Sequence, residues 1–296
     1  MDGANAASAD SPSRANTLAI RVASVVVLLP LIIAGVWWPP TTVLLAGLVI
    51  ALAISELFAI FRQGGYQPRL MEGIVIGWLI CAATFFQPLI TVDLVLVALV
   101  VSILGALIAE IVRRDRQTSL LSWALTFAGA YYVSGLLSSY LLLRQLELPL
   151  QNGWLAFANI PSGAAWVFFT LAITWLQDTG AFFVGRAFGR TKMAPILSPK
   201  KSWEGFAGGM VAAIATALFC VPLLGLPITL LEAAILGVIA GIFGPLGDLA
   251  ESLIKRQVGV KDSGYIIPGH GGILDRIDSI LFTGPVVYYM IVLFTR

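Results

Sequence analysis

Charged residues are scarce in this sequence: only 11% of its 296 residues are Asp, Glu, Lys or Arg, against roughly 25% in soluble domains. Cysteine is also rare, and Cys81 and Cys220 each lie inside an apolar run. We therefore expect two small buried residues, with no disulfide and no cysteine metal site. The single histidine, His270, has no second histidine with which to form a metal cluster. The low charge excludes an ordinary soluble domain, and we expect no nucleic-acid partner.

Apolar residues are abundant instead, at 58% of the chain. A bilayer core about 30 Å thick is crossed by about 20 apolar helical residues, and the sequence contains nine runs of suitable length. Gln87-Pro88 and Gly244-Pro245 cut the third and the eighth near their ends. We predict an all-α, polytopic membrane bundle of about nine transmembrane helices: Ala19–Trp38, Thr41–Phe61, Gly73–Ile90, Val92–Val112, Leu120–Leu143, Ala165–Gly185, Phe206–Leu224, Leu230–Leu246 and Ser279–Thr295.

Basic residues indicate the orientation of this bundle. With a cytoplasmic amino terminus and nine spans, every Lys and Arg except Arg144 and Arg296 lies on the cytoplasmic side, as the positive-inside rule requires. We expect a multi-pass protein of the inner, cytoplasmic membrane with its chemistry on the cytoplasmic face. Residues 1–17 are predicted to be a disordered tail, 18–150 a scaffold of five helices, and 151–296 a catalytic region of four helices with cytoplasmic loops.

Two acidic residues lie in the apolar runs of the scaffold. Glu56 and Glu110 are near the cytoplasmic ends of their helices, where Glu56 can pair with Arg62, and Glu110 with Arg113 or Arg114. We expect these ion pairs to be structural, and a place in the active site is the alternative.

Three clusters of polar residues occupy the second half of the chain. In the first, Asp178 lies about 10 Å inside its helix end, counted at 1.5 Å per residue. An ionisable group at that depth indicates a functional cavity, although a structural pair with Arg186 is the alternative. Ser198-Pro199-Lys200-Lys201 follows and places two ammonium groups at the membrane surface.

The second cluster directly follows the eighth predicted span. Asp248, Glu251, Ser252 and Lys255 are spaced i, i+3, i+4 and i+7, so on a helix they line one face. The stripe predicts a polar site where the helix leaves the membrane. A solvated face with an internal ion pair is the alternative.

The third cluster is a glycine-rich loop that runs from Lys261 to Asp278. Pro268 to Gly272 surround His270 with glycine, which indicates an irregular backbone or close approach to a ligand. Asp275 and Asp278 follow one helical turn apart, and such carboxylates suit Mg²⁺. Backbone N–H groups of the loop suit phosphate. We expect His270 to donate a hydrogen bond or to pack in the loop and not to act as a general base.

The run from Ser252 to Asp278 is similar, position for position, to the signature of the phosphatidate cytidylyltransferase family. That signature reads Ser-x-x-Lys-Arg, four residues, Lys-Asp-x-Gly, and then Pro-Gly-His-Gly-Gly-x-x-Asp-Arg-x-Asp. The segments Asp178-Thr-Gly-Ala and Ser198-Pro-Lys-Lys-Ser-Trp-Glu-Gly also resemble motifs of the family. Two departures are small: Phe182 stands where Tyr is usual, and Ser202 where Thr is usual. The distinctive resemblance covers roughly residues 175 to 280.

This resemblance implies a multi-span enzyme that makes CDP-diacylglycerol and pyrophosphate from CTP and phosphatidate. It implies Mg²⁺, leaves open a second, monovalent cation, and implies a homodimer in the lipid bilayer. Asp248 and Asp275 would be the metal and catalytic carboxylates, with Ser252 and Lys255 in the same site. Asp278 or Asp178 would complete the metal shell. The substrates would be bound by Ser198, Lys200, Lys201, Arg256, Lys261, His270, Gly271, Gly272 and Arg276.

Two other functions are compatible with the sequence. A CTP-dependent lipid kinase would use similar charges but would attack the γ-phosphorus and release CDP. An ion-coupled transporter would use Asp178 and Asp248 as an intramembrane relay and would move its substrate without CTP turnover. The transporter leaves the glycine-rich loop and the surface cations unexplained.

Overall fold

The computed structural model describes residues 14–112, 118–264, 266 and 271–295, and these residues are predominantly helical. A two-stranded antiparallel hairpin, β1 (Lys192–Ala194) and β2 (Ser198–Ser202), connects the seventh helix to the eighth. The all-α class is confirmed. The helices are α1 (Arg14–Trp37), α2 (Pro39–Gln63), α3 (Leu70–Phe86), α4 (Leu94–Ile111), α5 (Ser119–Leu137), α6 (Ser139–Arg144), α7 (Ser162–Phe188), α8 (Trp203–Leu224), α9 (Leu230–Gln257) and α10 (Leu274–Phe294).

Eight helical stretches in the described part of the chain are long and apolar enough to cross a membrane. They correspond to the second through ninth predicted spans, with α5 and α6 forming one crossing. Within α1, the stretch Val26–Trp37 is a shorter apolar helix. Helix α1 begins at Arg14, inside the stretch 1–17 that the sequence assigned to a tail, and residues 1–13 lie outside the described residues. The chain is a multi-pass membrane protein.

Proline had opposite effects at the two predicted helix ends. Helix α3 ends at Phe86, directly before Gln87-Pro88 and short of the predicted end at Ile90. Helix α9 instead continues through Pro245 to Gln257, so the predicted end at Leu246 is wrong. Proline is tolerated inside a membrane helix where the surrounding protein accommodates the disturbed backbone, and Lys201 Nζ donates to the Pro245 carbonyl at 3.3 Å, which ties β2 to this part of α9. The polar stripe therefore belongs to the same helix as the membrane span.

Small residues bring the last four helices into close contact. A Cβ atom at Gly208 of α8 would strike the Val184 side chain of α7. A Cβ atom at Gly247 of α9 would strike the Asp278 carbonyl oxygen of α10. Small side chains allow membrane helices to approach at backbone distance. The polar end of α9 is consequently pressed against the start of α10.

Consecutive spans run in opposite directions, so α7 and α9 end on the same face of the bundle where α8 and α10 begin. We name this the site face. Helix α2 also ends there, since a Cβ atom at Gly64 would strike Val258 just beyond α9. On the opposite face, buried Arg144 donates from Nε to the Val36 carbonyl at 2.8 Å and from Nη2 to the Trp37 carbonyl at 2.7 Å. This contact fixes the end of α1 to α6.

Candidate active site

The β1–β2 hairpin lies at the site face. Its antiparallel register sets Lys192 opposite Ser202 and Ala194 opposite Ser198. The Ser202 hydroxyl accepts from the Gly205 N–H at 3.2 Å and caps α8, because the first N–H groups of a helix lack partners within it. The hairpin is thereby joined rigidly to the start of α8.

Alternation along β2 separates its two lysines. Lys200 is exposed, whereas Lys201 is half-buried, as expected for neighbours on a strand. Lys201 Nζ lies 2.8 Å from Asp248 Oδ2 on α9, and the Ser252 hydroxyl donates to Asp248 Oδ1 at 3.3 Å. The first and second clusters predicted from the sequence therefore meet at Asp248.

The polar stripe of α9 lines one helix face, as its spacing predicted. Glu251, Ser252 and Lys255 are buried, with Glu251 only 1% exposed. Lys255 Nζ lies 2.9 Å from Glu251 Oε2. The alternative interpretation, a face exposed to solvent, is therefore wrong. The internal ion pair that this alternative included does form, between Glu251 and Lys255.

The same lysine joins α9 to α10. Lys255 Nζ lies 2.6 Å from Asp275 Oδ1. Asp275 Oδ2 accepts from the Gly272 N–H at 3.1 Å and from the Ser263 N–H at 3.1 Å. Gly271 has a φ of +86°, a conformation that favours glycine. Asp275 is thus held by a buried ammonium and by the backbone of its own loop.

Two further carboxylates lie near Asp248. Asp178 of α7 is exposed. Its interacting groups include Asp248, Lys201 and the Ser279 hydroxyl, on other elements. Asp278 of α10 accepts from the Ser279 N–H at 2.6 Å. It also lies close enough to Asp248, Glu251 and Asp178 for electrostatic repulsion between the carboxylates. The predicted role of these aspartates in metal binding stays a prediction.

Carboxyl groups outnumber lysine side chains in the interior of this site. The described residues contain no group of three His, Cys, Asp or Glu side chains that could hold a metal ion by itself. Mg²⁺ is usually bound by one or two carboxylates together with substrate phosphates. Within the described residues, Glu251 Oε1 is buried without a hydrogen-bond partner. These acceptors do not form a complete metal site by themselves. They fit a cation that enters together with a phosphate-bearing ligand.

The remaining predicted residues surround this interior. Arg256 is exposed and donates from Nε to the Leu197 carbonyl at 3.4 Å and from Nη1 to the Val260 carbonyl at 3.1 Å, which ties the hairpin to the end of α9. Lys261 and Arg276 are exposed, and Ser198 is half-buried at the start of β2. The backbone of Gly272 contacts Asp275, while His270 lies outside the described residues. The roles of these residues in binding stay predictions.

The scaffold also contacts the site, through Glu56 of α2. The predicted pairing of this residue with Arg62 is wrong. Glu56 of α2 does not turn to Arg62: its carboxylate accepts from the Ser263 hydroxyl and from the backbone N–H groups of Ile273 and Leu274. An acidic residue inside an apolar run was the available signal, but its distant partner could not be deduced. Glu110 accepts from the Ser122 hydroxyl at 3.0 Å, and its expected arginine partners, Arg113 and Arg114, lie outside the described residues.

Taken together, the fold and the site define a multi-pass membrane protein with a carboxylate and lysine site where its last helices meet. A model of the cytidylyltransferase family matches residues 19–294, nearly the whole chain. The chain belongs to the cytidylyltransferase family.

Curated relatives agree with this assignment. The chain is 33% identical over 277 residues to a phosphatidate cytidylyltransferase of Synechocystis, covering 89% of this chain and 91% of that protein. It is 45% identical over 133 residues to a phosphatidate cytidylyltransferase of Bacillus subtilis, covering 45% of this chain and 49% of that protein. It is also 47% identical over 133 residues to the uncharacterized Escherichia coli protein YnbB, covering 45% and 44% of the two chains. The chain therefore spans about half the length of the Bacillus subtilis and Escherichia coli relatives, and nearly all of the Synechocystis relative.

Proposed function

We propose that this protein is a phosphatidate cytidylyltransferase, which converts CTP and phosphatidate to CDP-diacylglycerol and pyrophosphate. The observation that carries the proposal is the convergence of Lys201, Asp248, Lys255 and Asp275 at one face of a membrane bundle, in a chain of the cytidylyltransferase family. Both substrates are polyanions, and bringing them together requires fixed positive charge and fixed geometry.

The position of the site suits one lipid substrate and one soluble substrate. The acyl chains of phosphatidate stay in the bilayer while CTP is in the cytosol, so a common site belongs at the height of the lipid headgroups. The site face carries the helix ends, the hairpin and the exposed Lys200 and Arg256. We propose that this face is cytoplasmic and that the protein resides in the inner membrane of a bacterial cell, because the basic residues fall on that side.

Mg²⁺ is part of the proposal. Asp248, with Asp278 or Asp178 as a second carboxylate, would hold it together with phosphate oxygens of CTP. Asp275 would be the catalytic carboxylate beside this ion, since Lys255, Ser263 and Gly272 hold its two oxygens in a fixed position. When bound, the ion would neutralise developing charge on the phosphates. A second, monovalent cation and a homodimer, both taken from the resemblance, stay part of the proposal.

The chain's own residues align and neutralise the reactants. A phosphate oxygen of phosphatidate attacks the α-phosphorus of CTP, and the bond from that phosphorus to the bridging oxygen of the β-phosphate breaks, so pyrophosphate leaves. The attacking phosphomonoester is already anionic, with a second pKa of about 6, so no strong general base is required. Lys201 is half-buried on β2, and its ammonium, which contacts Asp248 in this structure, can turn to a phosphate of a bound substrate. Lys255 holds Asp275 and Glu251 in place.

The experiment uses purified protein in detergent micelles with phosphatidate and CTP labelled at either the α- or the γ-phosphate. We expect α-label to enter the lipid and γ-label to leave as pyrophosphate, and we expect EDTA to stop both. Label from the γ-phosphate in the lipid would instead show a lipid kinase. Absence of CTP turnover by folded protein would contradict both enzymes and leave the transporter, which flux across sealed vesicles would detect.

A further inference from the structure

We propose that Glu56 is a positioning residue for the reaction: from the scaffold helix α2, it fixes the loop that presents Asp275. The role of Asp275 in the reaction rests on the proposed function. The contact between Glu56 and the start of α10 does not depend on it. It gives the amino-terminal half of the chain a direct part in the geometry of the site.

Glu56 holds the start of α10 from outside that helix. Its side chain is buried, with the residue 5% exposed. Oε1 accepts from the Ile273 N–H at 3.0 Å, and Oε2 accepts from the Leu274 N–H at 2.8 Å. The residue at the cap position of α10, Ile273, has no side-chain cap of its own. A carboxylate at a helix amino terminus satisfies free N–H groups and interacts favourably with the helix dipole, so Glu56 supplies the missing cap.

One residue connects this cap to Asp275. The Ser263 hydroxyl donates to Glu56 Oε2 at 3.2 Å, while the Ser263 N–H donates to Asp275 Oδ2 at 3.1 Å. The Asp275 N–H lies 3.4 Å from the same hydroxyl. Displacing Glu56 therefore releases Ser263 and the first turn of α10 together, and both of these hold Asp275.

The contact leaves little free space. A Cβ atom at Gly264 would lie 2.7 Å from Glu56 Oε1, and one at Gly272 would strike both Glu56 and Ser263. Glycine is therefore needed at both positions so that the loop can approach the carboxylate. This close fit indicates that the contact specifies the position of the loop, beyond adding stability.

Glutamine at position 56 is a sharp test, because it keeps the shape of the side chain. The two carboxylate oxygens accept from three donors. An amide replaces one acceptor by an NH₂ group, so in either orientation a donor faces a donor. Glu110→Gln is the matched control, since Glu110 is also a buried glutamate near the site face and accepts from Ser122 of the scaffold.

Positioning predicts a specific kinetic and structural pattern. In Glu56→Gln we expect kcat to fall by about 100-fold, since small misplacement of a reacting group has effects of that order. KM for CTP and for phosphatidate should stay within about twofold, because binding cations are unchanged. Hydrogen–deuterium exchange of peptides containing the Ile273 and Leu274 amides should accelerate by about tenfold or more. Glu110→Gln should leave kcat and this exchange unchanged.

Three results would overturn the proposal. These are wild-type kcat in Glu56→Gln, unchanged exchange at the start of α10, or equal loss of kcat in Glu110→Gln. If Glu56→Gln is not recovered folded, Ser263→Ala decides: it should lower kcat by about tenfold without raising KM, and wild-type kcat there would overturn the proposal. If the wild type itself transfers no cytidylyl group, the proposed function fails, while the exchange measurement still decides whether Glu56 holds the loop.

Discussion

The buried ion pairs of Lys255 allow one prediction to be worked out from the structure. Lys255 is 8% exposed and Glu251 is 1% exposed. The Lys255 ammonium lies 2.9 Å from one carboxylate and 2.6 Å from the other, that of Asp275. Lys255→Met keeps most of the side-chain volume but removes the charge that faces both carboxylates. Two anionic groups are then left close together where water is scarce.

Removing one partner of a buried ion pair costs about 3–5 kcal/mol, because the other charge is left uncompensated. We expect Lys255→Met to lower the free energy of unfolding by about this amount. Asp275 keeps the N–H donors of Ser263 and Gly272, so Glu251 is the main source of the loss. The double variant Lys255→Met/Glu251→Gln removes both charges of that pair and should recover to within about 1.5 kcal/mol of the wild type.

The assay is equilibrium unfolding in mixed micelles with a denaturing detergent, followed by circular dichroism. Lys200→Met is the matched control, because Lys200 is an exposed lysine on β2 and should change stability by less than about 0.5 kcal/mol. The reasoning is refuted if Lys255→Met loses no more stability than Lys200→Met. A double variant less stable than Lys255→Met would refute it equally.

Two further substitutions test the site. We expect Lys201→Met to reduce kcat/KM by about 100-fold, since it removes a cation bound 2.8 Å from Asp248. Lys192→Met, at an exposed lysine of β1, should change kcat/KM by less than about threefold because an exposed charge is screened. If steady-state assays show equal losses of kcat/KM in Lys201→Met and in the control variant, Lys201 does not have the proposed contact with substrate phosphate. Gly272→Ala should lower kcat by about tenfold or more, because the added methyl group would clash with the Ser263 hydroxyl. Gly105→Ala, where a Cβ atom meets open space, should leave kcat unchanged, and a fully active Gly272→Ala protein would show that the loop is not tightly packed.

Much of the fold followed from the sequence, because apolar runs of about 20 residues have one stable form in a bilayer. The spacing of Asp248, Ser252 and Lys255 predicted their common face for a similar reason, since helical period is a local property. The end of α9 could not be predicted, because α9 continues through Pro245 to Gln257 and the tolerance of a proline inside a membrane helix depends on the packing around it.

Tertiary contacts account for the other differences. The structure pairs Lys255 with Glu251 and also with Asp275, which follows the glycine-rich loop twenty positions later in the sequence. Glu56 lies more than two hundred positions before its partners Ile273 and Leu274. Periodicity and motif spacing carry no information about such distances along the chain. The motif residues were therefore found from the sequence, whereas the residue that holds their loop was found only in three dimensions.

The most direct test of the central claim compares two aspartates in the transfer of α-label from CTP to phosphatidate. Asp248 lies at the meeting point of β2 and α9, whereas Asp93 caps α4 by accepting from the Leu96 N–H at 2.9 Å. We expect Asp248→Asn to reduce lipid labelling by about 100-fold or more, with its fold retained. Asp93→Asn should label lipid like the wild type, since Asn is an equally good cap. An Asp248→Asn protein that transfers the label at the wild-type rate would contradict the placement of the reaction at this site.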